Sequence, residues 1–121
     1  MKTTKNVFLR WIGRALFACA LAQTSEVLAA ETRYTGTIDK VRVDASGYGI
    51  IYFPINVPGA SCRSESTQNI LTFNANTEGG KGILQIALAA QLAGRQVNIV
   101  GTNTCIQYGS SIEEAARIYL L

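Results

Sequence analysis

The chain has 121 residues, a formal charge of +3 and no histidine. Without imidazole, a Ser-His-Asp or Cys-His relay and histidine-ligated zinc or copper are excluded. Nor does the charge mark a nucleic-acid surface. Lys2, Lys5, Arg10 and Arg14 against Glu26 account for all of it, and the seven basic and seven acidic residues from Glu31 onward form no clustered run.

The basic start is followed by a short apolar run, Ala15 to Ala22, and by the small residues of Val27-Leu28-Ala29-Ala30. That order predicts a secretory signal peptide over residues 1–30, cleaved near Ala29 or Ala30. The run is far short of the roughly 20 residues that span a bilayer, so no membrane anchor is expected in the mature chain. Leu16-Phe17-Ala18-Cys19 loosely resembles a lipobox, but Phe17 is too bulky for its place. The expected product is a secreted or periplasmic protein with a single domain over residues 31–121.

Tyr34 to Val43 is predicted as a first strand, with Ile38 on the face of Tyr34 and Val41 and Val43 on the other parity. A bulge near Asp39-Lys40, or burial on both faces, accommodates that slip. The turn Asp44-Ala45-Ser46-Gly47 leads to a second strand, Tyr48 to Phe53, which closes a hairpin and stops at Pro54. A long polar loop, Asn56 to Asn69, precedes a short third strand, Ile70 to Phe73.

Thr77 is a candidate cap for the helix Lys81 to Ala93, which ends at Gly94. Leu84, Leu88 and Leu92 recur every fourth residue beside Ile83, Ala87 and Ala90. A helix this apolar is normally covered on more than one side. A sheet on one side and an oligomer partner on the other would cover it, with Leu84, Leu88, Ala90 and Leu92 as the expected interface residues; loops of the same domain wrapping the helix are the alternative. Gln96 to Val100 is a fourth strand and Ala115 to Leu121 a fifth, with Ala116, Ile118 and Leu120 on one face; a helix from Ser111 competes for the last segment.

Export places Cys62 and Cys105 in an oxidising compartment, where pairing is expected; free thiols or an intermolecular bridge are the alternatives. The bridge would close a loop of about 43 residues, stabilising by roughly 4 kcal/mol. Five short strands with one helix after the third give a mainly β fold. The order βββαββ is that of a five-stranded OB-fold-like Greek-key barrel.

The hairpin opening Gly36-Thr37-Ile38, Cys62, Gly80-Lys81 at the helix start and Leu88-Ala89-Ala90 within it carry a resemblance. So do Gly94-Arg95-Gln96-Val97 and Gly101-Thr102-Asn103-Thr104-Cys105. Across most of residues 34 to 120 the chain resembles the secreted OB-fold B subunits of pentameric bacterial toxins of the subtilase-cytotoxin and typhoid-toxin type, and small exported proteins of similar build. The resemblance implies a pentameric homo-oligomer that recognises host glycans and carries a separate catalytic subunit. It transfers no sugar-contacting residue.

The expected function is therefore non-catalytic binding of a glycan or cell-surface receptor. Aromatic faces beside amides, hydroxyls and charges suit sugars, and the loops at the two cysteines supply Arg63, Ser64 and Glu65 on one side and Asn103, Tyr108, Ser110 and Ser111 on the other. The alternative is an accessory or inhibitory protein that binds a protein partner through the apolar helix. Catalysis by paired carboxylates is disfavoured, because adjacent Glu113 and Glu114 point apart on a strand or a helix and Asp39 and Asp44 flank a turn. No metal or cofactor is expected.

Overall fold

The parity slip between Ile38 and Val41 marks the place where the chain leaves one sheet for another. In the computed structural model, which describes residues 31–121, the predicted first strand is two. They are β1, Arg33–Gly36, and β2, Lys40–Val43. Tyr34, Gly36 and Ile38 are all buried, whereas Val43 is exposed. The Tyr34 ring folds back over the corner and its hydroxyl donates to the Thr37 carbonyl (2.9 Å). A side chain at position 36 would collide with that ring, so glycine stands there. The predicted signal peptide lies outside the described residues.

Three further strands follow the expected order: β3, Tyr48–Tyr52; β4, Ile70–Asn74; and β5, Val97–Gly101. The last, β6, is Ala115–Leu120, which decides against the competing helix. β1, β5 and β6 form one antiparallel sheet and β2, β3 and β4 another. The described residues thus hold six strands rather than five, and the two sheets do not close into a barrel. They meet at one parallel bridge, Thr72 to Glu114.

Helix α1, Glu78–Ala93, begins one turn earlier than predicted. Thr77 caps it by accepting from the Gly80 N–H (3.0 Å), and Gly94 ends it in the left-handed conformation that glycine adopts at little cost. Ala87 and Ala90 are fully buried in a core with Phe53, Leu71, Phe73, Val97 and Ile99. Ile83, Leu84 and Ile86 pack along its margin.

Ala90 therefore belongs to the core and not to an outer interface. Its small side chain lets the helix approach the sheets, while Leu88 (39% exposed) and Leu92 (86%) point away. On β6 only Ile118 is buried; Ala116 and Leu120, on the same parity, lie open.

Burial sets the stability order. Phe53→Ala is expected to cost about 3–5 kcal/mol by loss of contacts and the cavity left behind. Leu92→Ala is expected to fall within about 0.5 kcal/mol. Urea unfolding of the two variants checks this, and equal losses would place Leu92 in an interface that the isolated chain does not show.

Candidate functional site

Two adjacent carboxylates organise the loop between β5 and β6. Glu113 and Glu114 stand just before β6, where alternation sends them to opposite sides, and both are fully buried. Glu114 Oε1 accepts from two successive backbone amides, Ile106 (2.6 Å) and Gln107 (2.7 Å). Its Oε2 accepts from the hydroxyls of Thr104 (2.8 Å) and Thr102 (3.0 Å). Successive N–H groups turned to one point form an anion nest, here filled by the protein's own side chain.

Burial works against ionisation of Glu114. The bonds from Ile106, Thr104, Gln107 and Thr102 outweigh it and hold the carboxyl below its ordinary range. Glu113 reaches the other way. Its Oε1 accepts from the Thr32 hydroxyl (2.8 Å) and the Ala60 N–H (2.9 Å), and its Oε2 from the Asn103 N–H (3.1 Å). Any side chain on Gly101 would overlap this carboxylate. Arg63 approaches it at 3.8 Å, and burial pushes that guanidinium below its ordinary value while Glu113 pulls it up.

Cys62 and Cys105 are disulfide-bonded, with Cα atoms 6.1 Å apart. Beside the bridge the Thr67 hydroxyl donates to the Ser111 carbonyl (2.5 Å). So anchored, the loop crosses the outer face of the β2–β3–β4 sheet. Ile50 and Ile70 on that face are buried although they stand apart from the main core.

Tyr108 lands beside the first hairpin rather than over the disulfide. Its hydroxyl donates to Asp44 Oδ2 (2.5 Å), and its ring meets Tyr48 edge-on at 5.8 Å. Arg42 donates to Tyr108 (3.3 Å) and to Tyr52 (3.0 Å) and pairs with Asp44 (2.9 Å), while the Lys40 ammonium sits 4.3 Å from the Tyr52 ring. The Tyr108 and Arg42 bonds hold the Asp44 carboxyl below its usual range, and Asp44 in turn raises the Tyr108 phenol. Three half-buried tyrosines, two cations and a carboxylate share one face.

Comparison with protein-family models, with curated proteins and with solved structures found no match. The site is therefore defined by its geometry. Of the residues named from the sequence, Tyr108 joins this face. Arg63 is turned inward with its side chain only 3% exposed, and Asn103 is half-buried with its side-chain amide 3.1 Å from the Thr32 hydroxyl. Ser64 bonds Thr67 and Ser66 at a single 3-10 turn, Glu65–Thr67, and Glu65 and Ser110 are exposed. Ser111 serves through its carbonyl.

The residues that sequence reasoning missed are Lys40, Arg42, Asp44, Tyr48 and Tyr52. Their signal was the alternation itself: Tyr48 and Tyr52 share a parity on β3, and Lys40 and Arg42 share one on β2. Lys40 stands directly across from Tyr52 in the register.

Glu114 sets a pH dependence whose sign is fixed. A carboxyl with a folded pKa below its unfolded value of about 4.3 stabilises the fold above that value, and the stability is lost as pH falls through the folded pKa. Glu114→Gln is expected to lose about 2–3 kcal/mol at neutral pH, by unpairing buried amides and hydroxyls. It should also flatten the fall in stability on the acid side. Unfolding midpoints from pH 7 downward check both; a variant as stable and as acid-sensitive as the parent would contradict them.

Proposed function

We propose that the protein is an exported, non-catalytic recognition module that binds a glycan or similar cell-surface ligand on the face formed by Tyr48, Tyr52 and Tyr108. The observation that carries the reading is the loop from Thr102 to Glu114, fixed across the β2–β3 hairpin so that Tyr108 stands against Asp44 and Tyr48. Aromatic surface, hydroxyls and charges held in place before a ligand arrives are what a polyol site requires.

The strand path supports reading the fold as an OB-like barrel. β1 and β2 are then the halves of one bent strand, which leaves five. The circuit β2-β3-β4, the parallel Thr72–Glu114 bridge, then β6-β5-β1 is one step from closing on itself. In that fold the face around strands 2 and 3 and the loops beside it bind oligosaccharides and oligonucleotides. Balanced charge from Glu31 onward favours the saccharide. The resemblance to toxin B subunits fits this reading, with a homo-oligomer, pentameric in that family, and a separate catalytic subunit as its partners.

A second reading rests on the exposed outer stripe of α1, Leu88 and Leu92. An accessory or inhibitory protein would dock a protein partner there.

Glycan-array binding of the exported protein, with its solution mass, separates the two. Tyr108→Ala is expected to lower affinity for any bound glycan by about thirtyfold, near 2 kcal/mol, as for loss of one aromatic anchor. Tyr108→Phe, which keeps the ring and loses the Asp44 bond, should cost about fivefold. Unchanged affinity in a folded Tyr108→Ala variant would move the site elsewhere. A wild type that binds no glycan and elutes with a protein partner would favour the second reading.

A further inference from the structure

We propose that a second copy of the chain pairs with β2, edge to edge and antiparallel, so that two tyrosine faces become one. The contact is independent of which ligand that face takes.

The gap between the two sheets leaves β2 at an edge, paired only with β3. The Asp44 N–H donates to the Tyr48 carbonyl (2.8 Å), so by alternation Asp44, Arg42 and Lys40 turn their backbone groups toward β3. Val41 and Val43 turn theirs to the open edge. The Val43 side chain, on the opposite face from Lys40 and Arg42, is 46% exposed. A row of unpaired N–H and C=O groups is a template for another strand.

Two identical edges pair reciprocally about a two-fold axis. Because only the outward-turned residues exchange hydrogen bonds, the axis can fall at Val41, Arg42 or Val43. Centred on Arg42, each Val43 is covered by Val41 of the other copy, and each Lys40 stands across from Asp44, with about 5 Å between opposed β-carbons. Both ends of that pair have capacity for it. Among the described residues Lys40 makes no ion pair, and its ammonium rests over the Tyr52 ring. Asp44 Oδ1 meets only Arg42 Nε (2.9 Å), which leaves room for a second donor.

The two Arg42 residues meet at the axis, but each guanidinium is already drawn to its own Asp44, Tyr52 and Tyr108. Centring on Val41 would instead oppose Lys40 to Arg42, and centring on Val43 would run Lys40 past the strand to Ser46. Charge therefore selects one register. Paired this way the outer faces stay on one side, and Lys40 of each copy completes the Asp44 network of the other.

The test is the solution mass of the disulfide-bonded protein across concentration, by analytical ultracentrifugation. A reversible monomer–dimer equilibrium is expected. Val43→Pro removes an N–H that β3 does not use, so the fold should survive while self-association weakens by about tenfold or more. Lys40→Asp alone and Asp44→Lys alone should each weaken it by a similar factor, because like charges then oppose each other twice. An equimolar mixture of those two variants should recover a dimer, since the mixed pair again opposes unlike charges at both ends. If Val43→Pro does not fold, the charge variants decide alone. A wild type that stays monomeric up to millimolar concentration, an odd-numbered assembly, a dimer that a folded Val43→Pro leaves intact, or no recovery in the mixture would each overturn the proposal.

Discussion

Everything that positions the loop between β5 and β6 depends on two carboxylates buried back to back. An ionised group out of water is tolerated only when donors surround it. Glu113 and Glu114 meet that demand by drawing in backbone amides from three separate stretches: Ala60 before the first cysteine, Asn103 after β5, and Ile106-Gln107 after the second cysteine. Because alternation along the chain sends the two side chains in opposite directions, one pair of residues ties both loops to the start of β6. The Glu113 carbonyl also accepts from the Thr72 N–H (2.9 Å), so the same pair joins the two sheets.

The disulfide and the carboxylates divide the work. The bridge limits how far the loops can separate in the unfolded chain, an entropic contribution that says little about direction. The hydrogen bonds to Glu114 fix direction, and they leave Tyr108 one residue beyond Gln107 on the face of the hairpin. Tyr108 then completes a network of its own with Asp44 and Arg42. Because these three groups are open to water, their ion pair adds little stability. What they do is orient the Tyr108 ring on the face of the hairpin.

Much of the architecture was legible in residue order. Turn residues at Asp44–Gly47, the cap at Thr77, the stop at Gly94 and the pair Cys62 and Cys105 each name a local structure with a physical cause. The parity slip after Ile38 was legible as an irregularity. Its meaning as a change of sheet was not, because periodicity reports which face a residue takes and not which neighbour covers it. The helix shows the same gap: Ala90 and Leu92 read alike as apolar, yet only the small one fits beneath the helix.

The candidate site was half legible. Tyr108 stood out as an aromatic in a polar loop, but its partners Arg42, Asp44 and Tyr48 lie sixty or more residues upstream, on the β2–β3 hairpin. Glu113 and Glu114 were visible as adjacent acids and were weighed as a catalytic pair. Nothing in their spacing foretold that backbone amides from distant loops would surround them. Arg63 likewise read as a loop charge free for a ligand, whereas it packs inward toward Glu113 (3.8 Å).

The central claim is that buried carboxylates hold the loop between β5 and β6 rigid. Native-state hydrogen exchange of the amides of Ala60, Asn103, Ile106 and Gln107 tests it most directly. The account predicts protection approaching that of Ile99 and Ile118 in the paired strands, with Ser110 exchanging freely. Exchange of all four amides at the rate of Ser110 would contradict it.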